Sequence, residues 1–265
     1  MKKNFLVFAG SVLIAVFLLA ACTTTNDAKK AGADIDPAKK KEAEAARDLG
    51  EAYYHQRRYS AALKEFIKAE EINPNDHFLQ NDLGLVYKAK KKYDLAITHF
   101  KRALELEPEY SPARNNLGNA YMAKKDWDTA ISQYREVTED VLYLTPHYPL
   151  TNMGLAYMGK KNYKRAEQYF LEALQLQPNY PNALVGLAKT YMAQGRVPEA
   201  ILKLEKAVKR NPESGYIHFE LAEAYRTTME FKKAHAEYET VITLEPDSEL
   251  ADRAKIQAER MKKFY

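Results

Sequence analysis

Few side chains in this 265-residue sequence are placed to do chemistry. Cys22 is the single cysteine, and the six histidines (His55, His77, His99, His147, His218 and His235) are scattered without metal-ligand spacing. No glycine-rich phosphate loop, His-Glu-x-x-His or Gly-x-Ser-x-Gly motif is present. The pattern argues against an enzyme and implies no cofactor, no metal and no small-molecule substrate. The net charge of +4 is too weak and too dispersed to argue for nucleic acid. The one thiol has a more specific setting. Lys2-Lys3 and an apolar run from Phe5 to Leu19 precede it, short for a spanning helix and followed by small residues.

Leu19-Ala20-Ala21-Cys22 resembles the bacterial lipobox. The resemblance implies a signal peptide over residues 1–21, cleavage before Cys22, and acylation (palmitate and related chains) of its thiol and new amino group. More than one acyl chain gives stable attachment where a single chain is marginal. No thiol then remains for a nucleophile, a disulfide or zinc. The competing readings are a plain secretory signal with an incidental cysteine, or an uncleaved anchor. In enteric lipoproteins an Asp after the cysteine favours the inner membrane; here Thr23 follows, which favours the periplasmic face of the outer membrane. Residues 22–36 read as the lipidated cysteine and a flexible tether. Its thirteen polar and small residues reach at most about 43 Å. Asp36-Pro37 reads as an N-cap with proline in the first helical turn. The Lys39-Lys40-Lys41 face next to it reads as solvated, with contact to anionic headgroups as the other option.

What such an anchor would hold is set by a repeat. Tyr53, Tyr87, Tyr121, Tyr157, Tyr191 and Tyr225 recur at intervals of 34, 34, 36, 34 and 34 residues. A period in this range signals stacked supersecondary units. Numbering each tyrosine as position 11, position 8 is Gly50, Gly84, Gly118, Gly154, Ala188 and Ala222. Position 20 is alanine six times, from Ala62 to Ala234, and position 24 is large: Phe66, Phe100, Tyr134, Phe170, Leu204 and Tyr238. Small residues opposite large ones mark two helices in close approach, which a bigger side chain would overpack. Position 17 (Tyr59, Tyr93, Trp127, Tyr163, Val197, Phe231) should open the second helix. Pro74, Pro108, Pro178, Pro212 and Pro246 at position 32 should end it.

These columns resemble the tetratricopeptide repeat (TPR) over residues 43–248. The resemblance implies an all-α fold, a right-handed superhelix of six helix-turn-helix repeats over residues 37–248. Residues 249–265 should add a C-terminal capping helix whose stripe is Leu250, Ala254, Ala258 and Met261. Repeat 3 departs from the pattern. It has Leu142 where proline belongs and two extra residues, so its second helix should run into Val141–Pro149 as a distorted junction. In the TPR family positions 2, 5, 9 and 12 of the first helix line a concave groove. Here that implies a partner-binding surface of Phe78, Asn81 and Leu85; Asn115, Asn119 and Met122; Tyr148, Thr151, Leu155 and Met158; Val185 and Met192; and Phe219. The outer repeats put charge at these positions, such as Glu44, Arg47, Glu223 and Arg226. Methionine suits an apolar surface that takes a helix or strand, and asparagine can bond to a bound backbone. The methionine column would also serve simply as padding between neighbouring first helices. The carboxylate clamp of chaperone-binding TPR proteins is absent.

Lipobox, short tether, six repeats and one terminal helix together resemble the pilotins of type IV pilus biogenesis, the PilF/PilW/Tgl family. The stretched Leu142–Gly154 junction resembles its Tgl-like branch. That resemblance implies an outer-membrane lipoprotein that binds a secretin subunit and promotes its targeting and assembly. The same architecture suits a periplasmic adaptor scaffolding peptidoglycan hydrolases or other envelope complexes, or a partner in polysaccharide export.

Overall fold

The computed structural model describes residues 35–264. The expected signal peptide, Cys22 and all but the last residues of the tether lie outside the described residues. From Pro37 onward the chain is helical, and the helices pair as the columns require. α1 (Pro37–His55) and α2 (Tyr59–Ile72) form the first pair, α3 (His77–Ala89) and α4 (Tyr93–Leu106) the second, α5 (Ser111–Ala123) and α6 (Trp127–Glu139) the third. α7 (His147–Gly159) with α8 (Tyr163–Leu176), α9 (Pro181–Ala193) with α10 (Val197–Arg210), and α11 (Gly215–Thr227) with α12 (Phe231–Leu244) complete six pairs, and α13 (Glu249–Met261) closes the array. Every position-17 residue opens its second helix. Asp36 caps α1, its side chain accepting from the Ala38 N–H, with Pro37 in the first turn.

The small and large columns meet inside each pair. A β-carbon added to Gly50, Gly84 or Gly118 would come within 2.5 Å of Phe66, Phe100 or Tyr134, and one on Gly154 within 2.7 Å of Phe170. Only a hydrogen fits there. The position-20 alanines are all fully buried, and the position-24 side chains are at most 1% exposed. Each such aromatic removed from water contributes about 1.5–3 kcal/mol.

One turn geometry joins the two helices of every pair. The N–H of position 16 donates to the carbonyl of the position-11 tyrosine, as in Arg58 to Tyr53 (2.9 Å), Lys92 to Tyr87 (2.8 Å) and Glu230 to Tyr225 (2.9 Å). This six-to-one bond throws position 15 into the left-handed region. Arg57, Lys91, Lys125, Lys161, Gly195 and Met229 occupy it, with φ of 59°, 58°, 62°, 58°, 78° and 61°.

Between pairs, five second helices end two residues before their proline. The third connection corrects the sequence reading. α6 does not run into Val141–Pro149; it stops at Glu139 without a proline. Asp140 turns the chain instead: its carboxylate accepts from the Leu142 N–H (2.9 Å) and from the Ser111 hydroxyl at the start of α5 (2.5 Å). The seven residues from 140 to 146 then leave Val141 95%, Leu142 82% and Leu144 94% exposed. The extra length is taken up in solvent, and the core continues past it. One buried cluster runs from Ala130 in α6 to Met261 in α13, whereas the first repeats hold two smaller ones, around Phe66 and around Phe100.

First helices also touch the first helices of adjacent repeats, from α1 against α3 to α11 against α13. α13 thus stands where a seventh first helix would stand. Its buried stripe is Ala251, Ala254, Ala258 and Met261. The expected Leu250 packs on the core but is only half-buried, and Ala251 takes its place in the buried stripe. Among the described residues, no helix is long and apolar enough to cross a membrane.

Candidate partner-binding groove

The ladder of first helices carries the residues expected to meet a partner, and the structure sorts them into groups. The first surrounds a cleft of about 220 Å³ between α7, α9 and α11. Thr151, Leu155, Met158 and Val185 line it, joined by Tyr180, Lys189 and Tyr216. Leu155 is exposed and Met158 half-buried, whereas Val185 is 5% and Thr151 2% exposed. The Thr151 hydroxyl donates back to the His147 carbonyl at 2.7 Å, so it offers the cleft no free donor. Gly186 leaves room for the Phe170 ring, which would stand 2.3 Å from a β-carbon there.

Lys189 divides this cleft from a larger pocket of about 630 Å³. Its ammonium donates to Glu220 (2.7 Å) and Tyr216 (3.0 Å). Burial disfavours its charge, but those two hydrogen bonds outweigh burial and hold its pKa above the usual lysine value. Burial in turn pushes the Tyr180 and Tyr216 phenols up, so both stay protonated donors. The larger pocket takes Met192 and Phe219 from the expected set, with Arg253 and Ile256 from α13. The Arg253 guanidinium lies 4.6 Å from the centre of the Phe219 ring. The terminal helix therefore shapes the groove as well as capping the core, a role the sequence reading did not assign to it.

The third group sits at the other end. Phe78 lies in a pocket of about 460 Å³ with Arg47 and Asp76. Arg47 stacks over its ring and pairs with Asp76 at 3.0 Å. Phe78 also packs edge-on against Tyr110 at 5.4 Å, and Tyr148 packs against Tyr180 in the same manner at 5.5 Å, each beside the preceding histidine. These rings lie at the N-terminal ends of α3 and α7, and Tyr216 takes the corresponding place on α11.

The asparagines are used differently from expectation. Asn81 is buried, and its side-chain carbonyl accepts from Asn116 at 3.0 Å. Asn152 donates to Asn119 (3.1 Å) and Asn115 (3.4 Å), and Asn119 also accepts from the buried Tyr134 phenol (2.8 Å). They tie successive first helices together. The adjacent asparagines at 115 and 116 were the one signal for this ladder. Leu85 packs on the core of repeats 2 and 3, and Met122, Met158 and Met192 are half-buried against the larger core. Met158 and Met192 also line cavities; Met122 lines neither. Deep beside α1, burial and the neighbouring Glu51, which shares a hydrogen bond with it, push Asp82 up to about 7 against the pull of Arg47. Among the described residues, no group of three or more histidine, cysteine, aspartate or glutamate side chains could hold a metal ion. The groove's chemistry is recognition: aliphatic clefts edged by phenols and fixed charges.

Family models for the tetratricopeptide repeat match residues 43–76, 113–140, 157–202 and 185–249, and a TPR repeat model matches residues 84–125. The chain is a tetratricopeptide-repeat protein. Its fold is the TPR superhelix. It is similar to the crystal structure of PilW, a type IV pilus biogenesis factor, with a TM-score of 0.72 and 20% identity over 80% of this chain and 98% of that one. It is likewise similar to Pseudomonas aeruginosa PilF, with a TM-score of 0.68 and 20% identity over 84% and 99%. At these identities the likeness shows the shared fold. Among curated proteins, anaphase-promoting complex subunit 7 of Arabidopsis thaliana is 23% identical over 100 residues, 38% of this chain and 18% of its own length. This TPR chain thus spans less than a fifth of that relative.

Proposed function

We propose that this TPR protein is a lipid-anchored protein-binding scaffold that serves as a pilotin, taking up the type IV pilus secretin subunit at the outer membrane. The observation that carries the reading is the cleft between α7, α9 and α11. It offers Leu155, Met158 and Val185 to an apolar segment while Lys189 and Tyr216 fix its polar edge. Supporting it are the lipobox-like Leu19–Cys22 and a fold shared along nearly the whole length of two type IV pilus proteins. The mechanism is spatial. The groove covers an apolar segment of an immature subunit, and acyl chains at Cys22 hold the complex where the ring assembles. Neither step requires a catalytic residue.

The test is site-specific photo-crosslinking from Met158 in living cells, with the captured protein identified by mass spectrometry. A secretin subunit is the expected adduct. A peptidoglycan hydrolase would keep the groove and replace the role with that of an envelope adaptor.

A further inference from the structure

The turns inside the repeats carry a charge pattern that the sequence disperses and the fold collects. Position 15 of each repeat is left-handed, where glycine costs least and where repeat 5 has Gly195. Repeats 1 to 4 place Arg57, Lys91, Lys125 and Lys161 there instead. All four are exposed, and among the described residues none makes an ion pair or a side-chain hydrogen bond. The flanking positions add Arg58, Lys90 and Lys92, together with Lys124 and Lys160, which pair with Asp94 and Asp128. A cation at position 14 suits the C-terminal end of a first helix. Arg58 and Lys92 do not: they are the N-caps of α2 and α4, make no capping hydrogen bond, and face the positive end of the helix dipole. Local stability therefore gives no reason for the cations at position 15, whereas Arg58 at position 16 also lies over the Tyr53 ring at 4.5 Å. Shallow cavities of about 400 Å³ and 280 Å³ open between successive turns, one edged by Arg57, Arg58 and Lys90, the other by Lys91, Lys92 and the Lys124–Asp94 pair.

Paired helices run antiparallel, so all these turns share one edge of the array and the connections between repeats share the other. The connecting edge is acidic, with Asp76, Glu107, Glu109, Asp140, Glu213 and Asp247. The basic row is densest in repeats 1 to 4 and ends in repeat 6 as Thr228-Met229-Glu230. We propose that this basic edge is a membrane-apposition surface that rests on the phosphates of anionic lipid headgroups. The inference rests on the lipid-anchor reading of Cys22. That reading also selects the occupant: the row is concentrated in the repeats nearest the acylated end and fades with distance from it, a gradient that a free polyanion would not require. The array then lies on its basic edge, with its acidic edge toward the periplasm and the groove open to the side.

The test uses the full lipidated chain in vesicles, labelled through Gln56→Cys on the basic edge or Glu109→Cys on the acidic edge, with an energy-transfer acceptor in the headgroups. In vesicles containing phosphatidylglycerol the Gln56→Cys label should lie closer to the acceptor than the Glu109→Cys label. High salt should abolish the difference. The variant R57G/K91G/K125G/K161G relieves four left-handed positions, so its melting temperature should hold or rise. It should lose the difference too, with about fivefold weaker surface affinity per cation removed. A chain that sediments with vesicles while both labels stay equally far in anionic and zwitterionic lipid overturns the proposal and leaves the anchor standing. A chain that fails to sediment with zwitterionic vesicles refutes the anchor; the edge is then judged by salt-sensitive sedimentation with anionic ones, and its absence overturns the edge as well. An oligonucleotide that strips the array from anionic vesicles at physiological salt would assign the row to nucleic acid and overturn the lipid assignment.

Discussion

The ring of Tyr134 occupies the space that a side chain at Gly118 would need, standing 2.5 Å from where a β-carbon on that glycine would lie. Gly118→Leu should therefore overpack the third helix pair and lower stability by about 1–3 kcal/mol. Thermal unfolding followed by circular dichroism reads this directly. An unchanged melting temperature would mean the third pair can open without cost.

Asp82 gives the array a pH response of a definite sign. In the unfolded chain it titrates near 3.8, and in the folded one near 7. The folded state thus binds the proton more tightly, so this group's contribution falls as pH rises from about 4 to about 7 and is flat above that. Asp82→Asn removes the ionisation. Urea unfolding at about pH 5 and pH 8 should show the variant's advantage over wild type growing with pH; parallel curves would mean that Asp82 ionises freely in the folded protein.

Met158 tests the groove without testing the fold. It is half-buried at the cleft's edge, so Met158→Glu places a charge where an apolar partner segment would sit. Binding should weaken about tenfold or more, with no change in melting temperature. Equal affinity would return the methionine column to padding between helices.

Cys22→Ala separates the anchor from the array. The described helices begin at Pro37, well beyond the substituted residue, so their folding should be unchanged. Membrane fractionation of the variant should lose the protein to the soluble pool. Retention at the outer membrane would contradict acylation at Cys22.

The repeat was legible because it is carried by columns whose physics is local. Glycine opposite an aromatic ring and proline two residues past a helix end each act within one repeat, and one chain offers four readings of the first and five of the second. The end of α6 was not legible, since Asp140 stops it through a bond to Ser111, 29 residues earlier. The groove was legible in part. Leu155, Met158 and Val185 converge as expected, but Asn81 bonds to Asn116, and Asn115 and Asn119 to Asn152, because a polar group buried between first helices must find a partner. Arg253 entered the site from a helix read only as a cap. The basic edge was hidden by the period itself, which spaces its cations a whole repeat apart in sequence and places them side by side in the fold.

The uneven core gives the array a direction. From α6 to α13 the buried residues form one continuous cluster, while α1 to α4 depend on two small ones. In a quasi-one-dimensional stack, opening starts where neighbour coupling is weakest. Hydrogen exchange should therefore be faster in α1–α4 than in α7–α12. A pull through the N-terminal end then unzips the first repeats like a fuse, and the cleft around Met158 keeps its shape while the slack is taken up.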